Sequence, residues 1–197
     1  VRSLFDALVL SGCTMTLHGS SLPASGGEHV LSHTLDMMSD ADGTPHDLHG
    51  RQVGVASVVA AALWGRIVEL EHPRFEPHPP PLNRSIWGPA ADAVAEQHEA
   101  KTRTMERACA FFDEPGAWRK VRDHVARCLV PPSLLRERLQ RAGAAWKLAD
   151  IGCSRERFLA AMEHGGAMRS RFTSLDLARV TGILPRDAEA IVDAWVA

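Results

Sequence analysis

The stretch that decides the fold is residues 19–33, GSSLPASGGEHVLSH, which is followed after a short gap by LHG at residues 48–50. Its first half is small and polar, and its second half places His29 and His33 four residues apart. Positions i and i+4 lie on one face of an α-helix, about one turn apart. His49 opens a long apolar segment, and the turn-rich residues 39–47 can bring it back to the same place. We therefore predict that the three imidazoles face one cavity.

Converging neutral imidazoles are typical ligands of a divalent metal such as zinc or nickel. A single histidine is more often a surface or hydrogen-bonded residue, and many HxxxH pairs are only neighbours on a solvated face. The spacing alone therefore indicates a candidate site and leaves its reaction open. The other histidines fall in segments that we interpret as loops or surface, namely His46, His72, His78, His98, His124 and His164.

The composition is typical of a globular protein of one or two domains, with 197 residues, 45% hydrophobic and 23% charged. A net charge of −2 favours neither nucleic acid nor an anionic membrane surface. Two basic helices contain interleaved acidic residues and few aromatic ones, so we interpret them as solvated faces; their basic residues are Arg119, Lys120, Arg122, Arg136, Arg138 and Arg141. The apolar run at residues 52–65 is too short to span a bilayer. These observations predict no nucleic-acid partner and no membrane partner.

The four cysteines are widely spaced and form no CxxC pair. This usage is typical of reduced, mostly buried thiols in a cytoplasmic protein. We also interpret four tryptophans as packing residues, and we interpret Trp87, which lies in the proline-rich connection, as a residue that lines a contact surface. The packing tryptophans are Trp64, Trp118, Trp146 and Trp195.

Apolar residues recur with helical periodicity along nearly the whole chain, and no segment alternates convincingly like a strand. The sequence therefore predicts an all-α helical bundle. Ser25 and Glu28 have the spacing of a capping box at the start of the second helix. Residues 72–89 hold half of the prolines and are predicted to be an extended connection. The predicted helices cover residues 1–17, 25–38, 49–71, 90–112, 116–129, 132–142, 154–168, 174–181 and 185–197.

Three segments resemble a known family. The segment from Ser11 to Asp36, with GSSLPASGGEHVLSHTLD, is very similar to the signature of sn-glycerol-1-phosphate dehydrogenases. These enzymes belong to the iron-containing alcohol dehydrogenase superfamily, together with glycerol dehydrogenase and 3-dehydroquinate synthase. The resemblance continues through LHGRQVGV at residues 48–55 and returns at residues 150–177, whereas residues 75–145 match weakly.

The resemblance implies a particular domain organisation. In that family an N-terminal nucleotide-binding α/β half precedes an all-helical half, and the metal lies in the cleft between them. Residues 1–197 would then be a single helical metal-binding domain with the dehydroquinate synthase-like fold, and the N-terminal nucleotide-binding domain would be absent from the chain. NAD(P) would be bound mainly by that absent domain, and no cofactor-binding residue is expected here.

The resemblance also implies roles for individual residues. His29 and His49 would be ligands of a zinc, nickel or iron ion, and His33 would face the substrate as the catalytic residue. Ser25 and Gly26, in the loop before the first histidine, would contact the substrate. The third ligand of the family, an aspartate on an earlier helix, has no counterpart that we can find in this sequence.

The function that the resemblance implies is the metal- and substrate-binding domain of an NAD(P)-dependent glycerol-1-phosphate dehydrogenase-like oxidoreductase. Such an enzyme interconverts dihydroxyacetone phosphate and glycerol 1-phosphate, so we expect a small polyol phosphate as substrate. The missing nucleotide-binding domain is an expected partner, and a homo-oligomer is possible. The isolated chain is expected to be inactive without the nucleotide-binding half.

Three departures from the family pattern keep alternatives open. Leu22 stands where the family has an arginine, which removes a guanidinium near the expected phosphate site. Arg51 stands where the family has a glutamate, and His18 stands where a small residue is usual. A 3-dehydroquinate-synthase-like lyase is one alternative. A catalytically inactive remnant that serves as an interaction or oligomerisation module is the other.

Overall fold

The computed structural model describes residues 2–197, so Val1, the predicted first residue of the first helix, lies outside the described residues. Between residues 2 and 197 the regular structure is entirely helical, which confirms the all-α prediction. The α-helices are α1 (Arg2–His18), α2 (Gly27–Asp42), α3 (His49–Val68), α4 (Ala91–Asp113), α5 (Ala117–Cys128), α6 (Pro132–Arg141), α7 (Arg155–His164), α8 (Ser174–Val180) and α9 (Ala188–Trp195). Short 3-10 turns lie at Leu22–Ala24, Arg84–Ile86, Gly88–Ala90, Leu148–Ile151 and Gly165–Met168.

Helix α3 is the centre of the bundle, because it packs against α2, α5, α6, α8 and α9. Its buried side chains alternate between branched residues such as Val55 and Val59 and the small residues Ala60–Ala62. Small residues let neighbouring helices approach closely, and the branched ones fill the space between them. Helix α2 contributes Leu31 and Leu35 to the same core. The two helices that carry the candidate histidines are therefore held on one continuous core.

Several helix ends differ from the predicted ends. Helix α2 continues past the predicted end at Met38 and stops at Gly43, whose backbone is left-handed (φ 72°) and whose N–H bonds to the Ser39 carbonyl. Glycine adopts this conformation at no steric cost, so it sets the end of the helix. The predicted helix at residues 154–168 is α only as far as His164 and continues as a 3-10 turn. Ser154 caps it as predicted, accepting from the Arg157 N–H.

The proline-rich connection is less extended and more buried than predicted, since residues 84–86 and 88–90 form 3-10 turns. Trp87 is fully buried and packs with Ala91, Val94 and Ala167. The interpretation of Trp87 as a contact-surface residue is therefore wrong. Its large apolar surface is covered by the start of α4 and by the 3-10 turn after α7.

Helix α1 differs from the other long helices because it contains no buried residue. Its large apolar side chains are exposed, and it packs against the turn at residues 22–24. Nevertheless, no helix between residues 2 and 197 is long and apolar enough to cross a membrane. All four cysteines are free, but Cys13 and Cys128 are exposed, so the prediction that the thiols are mostly buried is wrong for these two.

Candidate metal and substrate site

The structure brings the three predicted histidines together. His29 and His33 lie one turn apart on α2, and His49 is the first residue of α3. The ring centres of His33 and His49 are 4.6 Å apart and the rings are stacked. The ring centres of His29 and His49 are 5.3 Å apart, and those of His29 and His33 are 6.4 Å apart. All three rings therefore border one small space between the two helices.

The start of α2 is fixed by a close approach to α8. A Cβ at Gly27 would overlap Ser174 Oγ, so only glycine fits there without a shift. Gly26 is the N-cap residue of α2, and no side chain makes the capping hydrogen bond. The predicted capping box from Ser25 is therefore wrong. Instead, the Glu28 carboxylate accepts from the Gly26 N–H at 2.8 Å.

Glu28 also sets the orientation of the first histidine. Nδ1 of His29 lies 2.8 Å from Oε1 of Glu28. An ionised carboxylate can only accept hydrogen bonds, so the neutral ring places its proton on Nδ1. Nε2 of His29 then keeps a free lone pair. A histidine whose other nitrogen donates to a carboxylate is the usual arrangement of a metal ligand.

His49 is oriented in the same way by a buried pair of residues. Ser32 Oγ lies 2.7 Å from Nδ1 of His49 and 2.6 Å from Oε1 of Gln52. The amide oxygen of Gln52 can only accept, so the Ser32 hydroxyl donates to it and accepts from the His49 Nδ1–H. The lone pair on Nε2 of His49 is therefore also free. Ser32 and Gln52 are both almost completely buried, which holds this arrangement in place.

His33 differs from the other two because its ring nitrogens have no hydrogen-bond partner within residues 2–197. Burial lowers the pKa of His33, and the nearby charges of Arg169 and His49 lower it further. The neutral imidazole is therefore favoured at neutral pH. A neutral imidazole beside a substrate hydroxyl can accept its proton and later return it.

Asp36 lies beside these rings and was missed in the sequence analysis. Its Oδ2 lies 3.9 Å from Nδ1 of His33 and 3.9 Å from Nδ1 of His49. Its other oxygen is buried without a hydrogen bond, although Nδ1 of His46 lies 3.0 Å away. His33, Asp36 and His49 can offer ligand atoms that all lie within 4.8 Å of one another. The spacing of His33 and Asp36, three residues apart on a helix, was the available signal.

These observations fit a divalent cation. His29 and His49 present free lone pairs, and Oδ2 of Asp36 lies 3.9 Å from Nδ1 of His49, while Oδ1 of Asp36 makes no hydrogen bond. A buried carboxylate oxygen that makes no hydrogen bond is costly unless a cation or a donor compensates it. Histidine nitrogen and carboxylate oxygen are the donor set that zinc, nickel and iron take in open catalytic sites.

Ser25 and Gly26 lie on the wall of a cavity of about 360 Å³ between the loop at residues 19–27 and residues 171–177. Arg171 holds this loop, donating to the Ser25 carbonyl at 2.9 Å and to Ser21 Oγ at 3.3 Å. Glu28 lies on the same wall, so the cavity adjoins the residue that orients His29. Leu22 also lines it and is nearly half exposed.

The other departures from the family pattern lie outside the histidine cluster. Arg51 donates to Asp47 Oδ2 at 2.7 Å and to the Asp150 carbonyl, so it connects the start of α3 to the turn at residues 148–151. His18 is exposed and lies 2.8 Å from Ser20 Oγ. His98 and His164 bond to the carbonyls of Pro80 and Pro81 and anchor the proline-rich connection.

Part of this chain is similar in sequence to curated relatives. A glycerol-1-phosphate dehydrogenase of Haloquadratum walsbyi is 57% identical over 58 residues, which is 29% of this chain and 15% of the relative. That of Pyrococcus horikoshii is 45% identical over 65 residues, 33% of this chain and 18% of the relative. That of Halalkalibacterium halodurans is 38% identical over 86 residues, 44% of this chain and 22% of the relative. The resemblance to glycerol-1-phosphate dehydrogenases is confirmed.

The similarity to glycerol-1-phosphate dehydrogenases covers only part of this chain and only part of each relative. The matched segment spans about a fifth of the length of these relatives. No protein-family model matches the chain, and no solved structure matches it. An all-helical chain is consistent with the helical part of a glycerol-1-phosphate dehydrogenase, the part that the sequence signature predicts.

Proposed function

We propose that residues 1–197 form one helical domain that binds the metal and the substrate of a glycerol-1-phosphate dehydrogenase-like oxidoreductase. The reaction class is the interconversion of a secondary alcohol and a ketone on a small polyol phosphate, glycerol 1-phosphate and dihydroxyacetone phosphate in the first instance. The relatives carry NAD(P)+ in their names, and we propose the same redox partner, bound mainly by a nucleotide-binding domain outside these residues. We also propose a cytoplasmic location, on the basis of the cysteine usage.

One observation carries this proposal: His29 and His49 both have Nδ1 engaged by a hydrogen bond, and the centres of their tilted rings are 5.3 Å apart. We propose that Nε2 of each binds a divalent ion, zinc, nickel or iron. Such an ion would polarise the oxygen of the reacting alcohol or ketone. Glu28 and Ser32 hold the two rings in the required orientation, so little freedom is lost when the ion binds.

His33 is proposed to touch the substrate. Its neutral ring, stacked on that of His49, can accept the hydroxyl proton in oxidation and donate it in reduction. Ser25 and Gly26 are proposed to contact the remainder of the substrate from the loop before α2. Much of the wall of the adjoining cavity is apolar.

Metal binding by the 197-residue chain tests this proposal. Zinc titration by calorimetry, with metal content measured after dialysis, should give one ion per chain. His29→Gln and His49→Gln should each weaken zinc binding more than the 10- to 100-fold that removal of an outer partner costs. His124→Gln, a change on helix α5, is the matched control and should bind zinc as the unchanged chain does.

Two results would contradict the proposal. A chain that binds no zinc, nickel or iron supports the inactive remnant, which Leu22 and Arg51 already suggest. Phosphate release from a heptulosonate phosphate, by this chain combined with a nucleotide-binding partner, supports the 3-dehydroquinate-synthase-like lyase.

A further inference from the structure

The cavity between the loop and residues 171–177 contains one cationic side chain, that of Arg171. Its guanidinium is partly buried, and both of its hydrogen bonds go to uncharged oxygens, the Ser25 carbonyl and Ser21 Oγ. Within residues 2–197, no carboxylate lies at ion-pair distance from it. A guanidinium has more N–H donors than these two acceptors use. Arg171 therefore has donors and a positive charge available to a ligand.

A second cationic residue, Lys101, lies beside Arg171 and has a carboxylate partner of its own. Lys101 is buried, and its Nζ bonds to the Arg171 carbonyl and lies 2.7 Å from Asp176 Oδ2. Asp176 therefore compensates Lys101 and not Arg171. Burial lowers the pKa of Lys101. The charge of Asp176 raises this pKa, and the charge of Arg171 lowers it. An anion bound at Arg171 would relieve this repulsion.

The remaining polar groups of the cavity also permit an anion at this end. Glu28 is the one carboxylate among the lining residues, and its Oε1 is already used by the Gly26 N–H and by His29. Thr173 and Ser174 also line the cavity, and the Thr173 hydroxyl donates to Asp176 Oδ2 at 3.0 Å. Much of the rest of the wall is apolar, including Trp64, Phe112 and Phe172, and such surroundings strengthen a charge-assisted hydrogen bond.

We propose that Arg171 binds the phosphate group of the ligand in this cavity. The guanidinium suits a phosphate monoester because it donates two parallel N–H bonds to two oxygens of one group. Ser21 and Ser25, its present partners, flank Leu22, so Arg171 supplies the positive charge beside the loop that Leu22 cannot supply. This inference rests on the proposed function in one respect. It takes the ligand to be a polyol phosphate whose carbinol end reaches His33.

Binding of glycerol 1-phosphate, glycerol and inorganic phosphate to the 197-residue chain tests the inference. The unchanged chain should bind glycerol 1-phosphate, inorganic phosphate should compete with it, and glycerol should bind at least about 10-fold more weakly. Arg171→Met should weaken glycerol 1-phosphate binding at least about 10-fold and leave glycerol binding unchanged. Arg171→Lys should have an intermediate effect, because lysine keeps the charge and loses the paired geometry.

Arg119→Met, a change at an exposed arginine on α5, is the control and should not alter phosphate binding. If Arg171→Met does not fold, Arg171→Lys and the competition by inorganic phosphate still test the site. Equal binding of glycerol 1-phosphate by the unchanged chain and by Arg171→Met would overturn the inference. Equal binding of glycerol and glycerol 1-phosphate by the unchanged chain would overturn it too.

The same samples separate this inference from the proposed function. If the chain binds zinc but Arg171→Met does not change glycerol 1-phosphate binding, the proposed metal site is supported and the phosphate site is contradicted. A chain that binds phosphate through Arg171 but takes up no metal keeps the phosphate site and contradicts the proposed function.

Discussion

The hydroxyl of Ser32 lies 2.7 Å from Nδ1 of His49, and this contact decides which nitrogen of His49 is free. Ser32 donates its own proton to Gln52, so it can only accept from the ring. The equivalent contact for His29 is made by Glu28. Glu28, which is adjacent to His29 in sequence, and Ser32, which reaches His49 from the neighbouring helix α2, thus determine which ring nitrogens the two ligands can offer.

Ser32→Ala should weaken zinc binding about 10- to 100-fold, because His49 loses the acceptor that fixes its tautomer. Competition with a chromophoric chelator measures this change in zinc affinity. Ser57→Ala is the control, since Ser57 also lies on a helix of the core but bonds only to the Val53 carbonyl. Equal zinc affinities of the two variants would contradict the role of Ser32.

Asp36→Asn should weaken zinc binding at least about 10-fold, because it removes a negative charge 3.9 Å from the candidate ligand His49 and 3.9 Å from His33. Asp40→Asn, one turn further along α2 at an exposed position, should change zinc affinity little. The comparison is made by calorimetry at two salt concentrations. If both variants lose zinc affinity equally, the loss reflects the total negative charge of the helix and not the position of Asp36.

Lys101→Met should destabilise the fold by about 3–5 kcal/mol, because it leaves the buried Asp176 without its cation. Urea unfolding followed by circular dichroism measures the change. Lys120→Met alters an exposed lysine on α5 and should shift the free energy of unfolding by no more than about 0.5 kcal/mol. A change of no more than about 0.5 kcal/mol in Lys101→Met as well would contradict this role of Lys101.

Cys153 predicts a pH dependence of stability in the alkaline range. Burial raises the pKa of this thiol from 9.0 to about 11. The folded state therefore holds the proton where the unfolded state releases it. The resulting stability is fully present below pH 9 and is lost as the pH rises from about 9 to about 11.

Thermal unfolding of the unchanged chain and of Cys153→Ala across this range measures the effect, and the decline should be shallower in the variant. Thiol titration at pH 8 gives a second readout. Cys13 and Cys128 are exposed and should react first, while Cys109 and Cys153 should react slowly. Identical pH profiles of the two proteins would exclude Cys153 as the source of the decline.

The sequence predicted the helices and the meeting of the three histidines because both follow from short-range periodicity. His29 and His33 share a helix face by spacing alone, and the turn before His49 had to be short. Contacts between residues that are far apart in the sequence leave no such periodic pattern. Nothing in the local sequence places Trp87 under α4, Lys101 next to Asp176, or Arg171 against the Ser25 carbonyl.

Two local errors have physical causes of their own. Ser25 has the sequence spacing of a helix cap, but Gly27 must approach Ser174 closely, and the helix therefore begins two residues later than Ser25 predicts. Asp36 lies on the same helix face as His33. It was assigned no role because the third ligand of the family was expected on an earlier helix.

The most direct test of the account is long-range 15N–1H correlation NMR of the histidine-labelled chain during a zinc titration. We predict that His29 and His49 both carry their proton on Nδ1 before zinc is added. The Nε2 signals of both rings should then shift together and saturate at one zinc per chain. A proton on Nε2 of either ring, or a zinc-dependent shift of only one of them, would contradict a shared metal site.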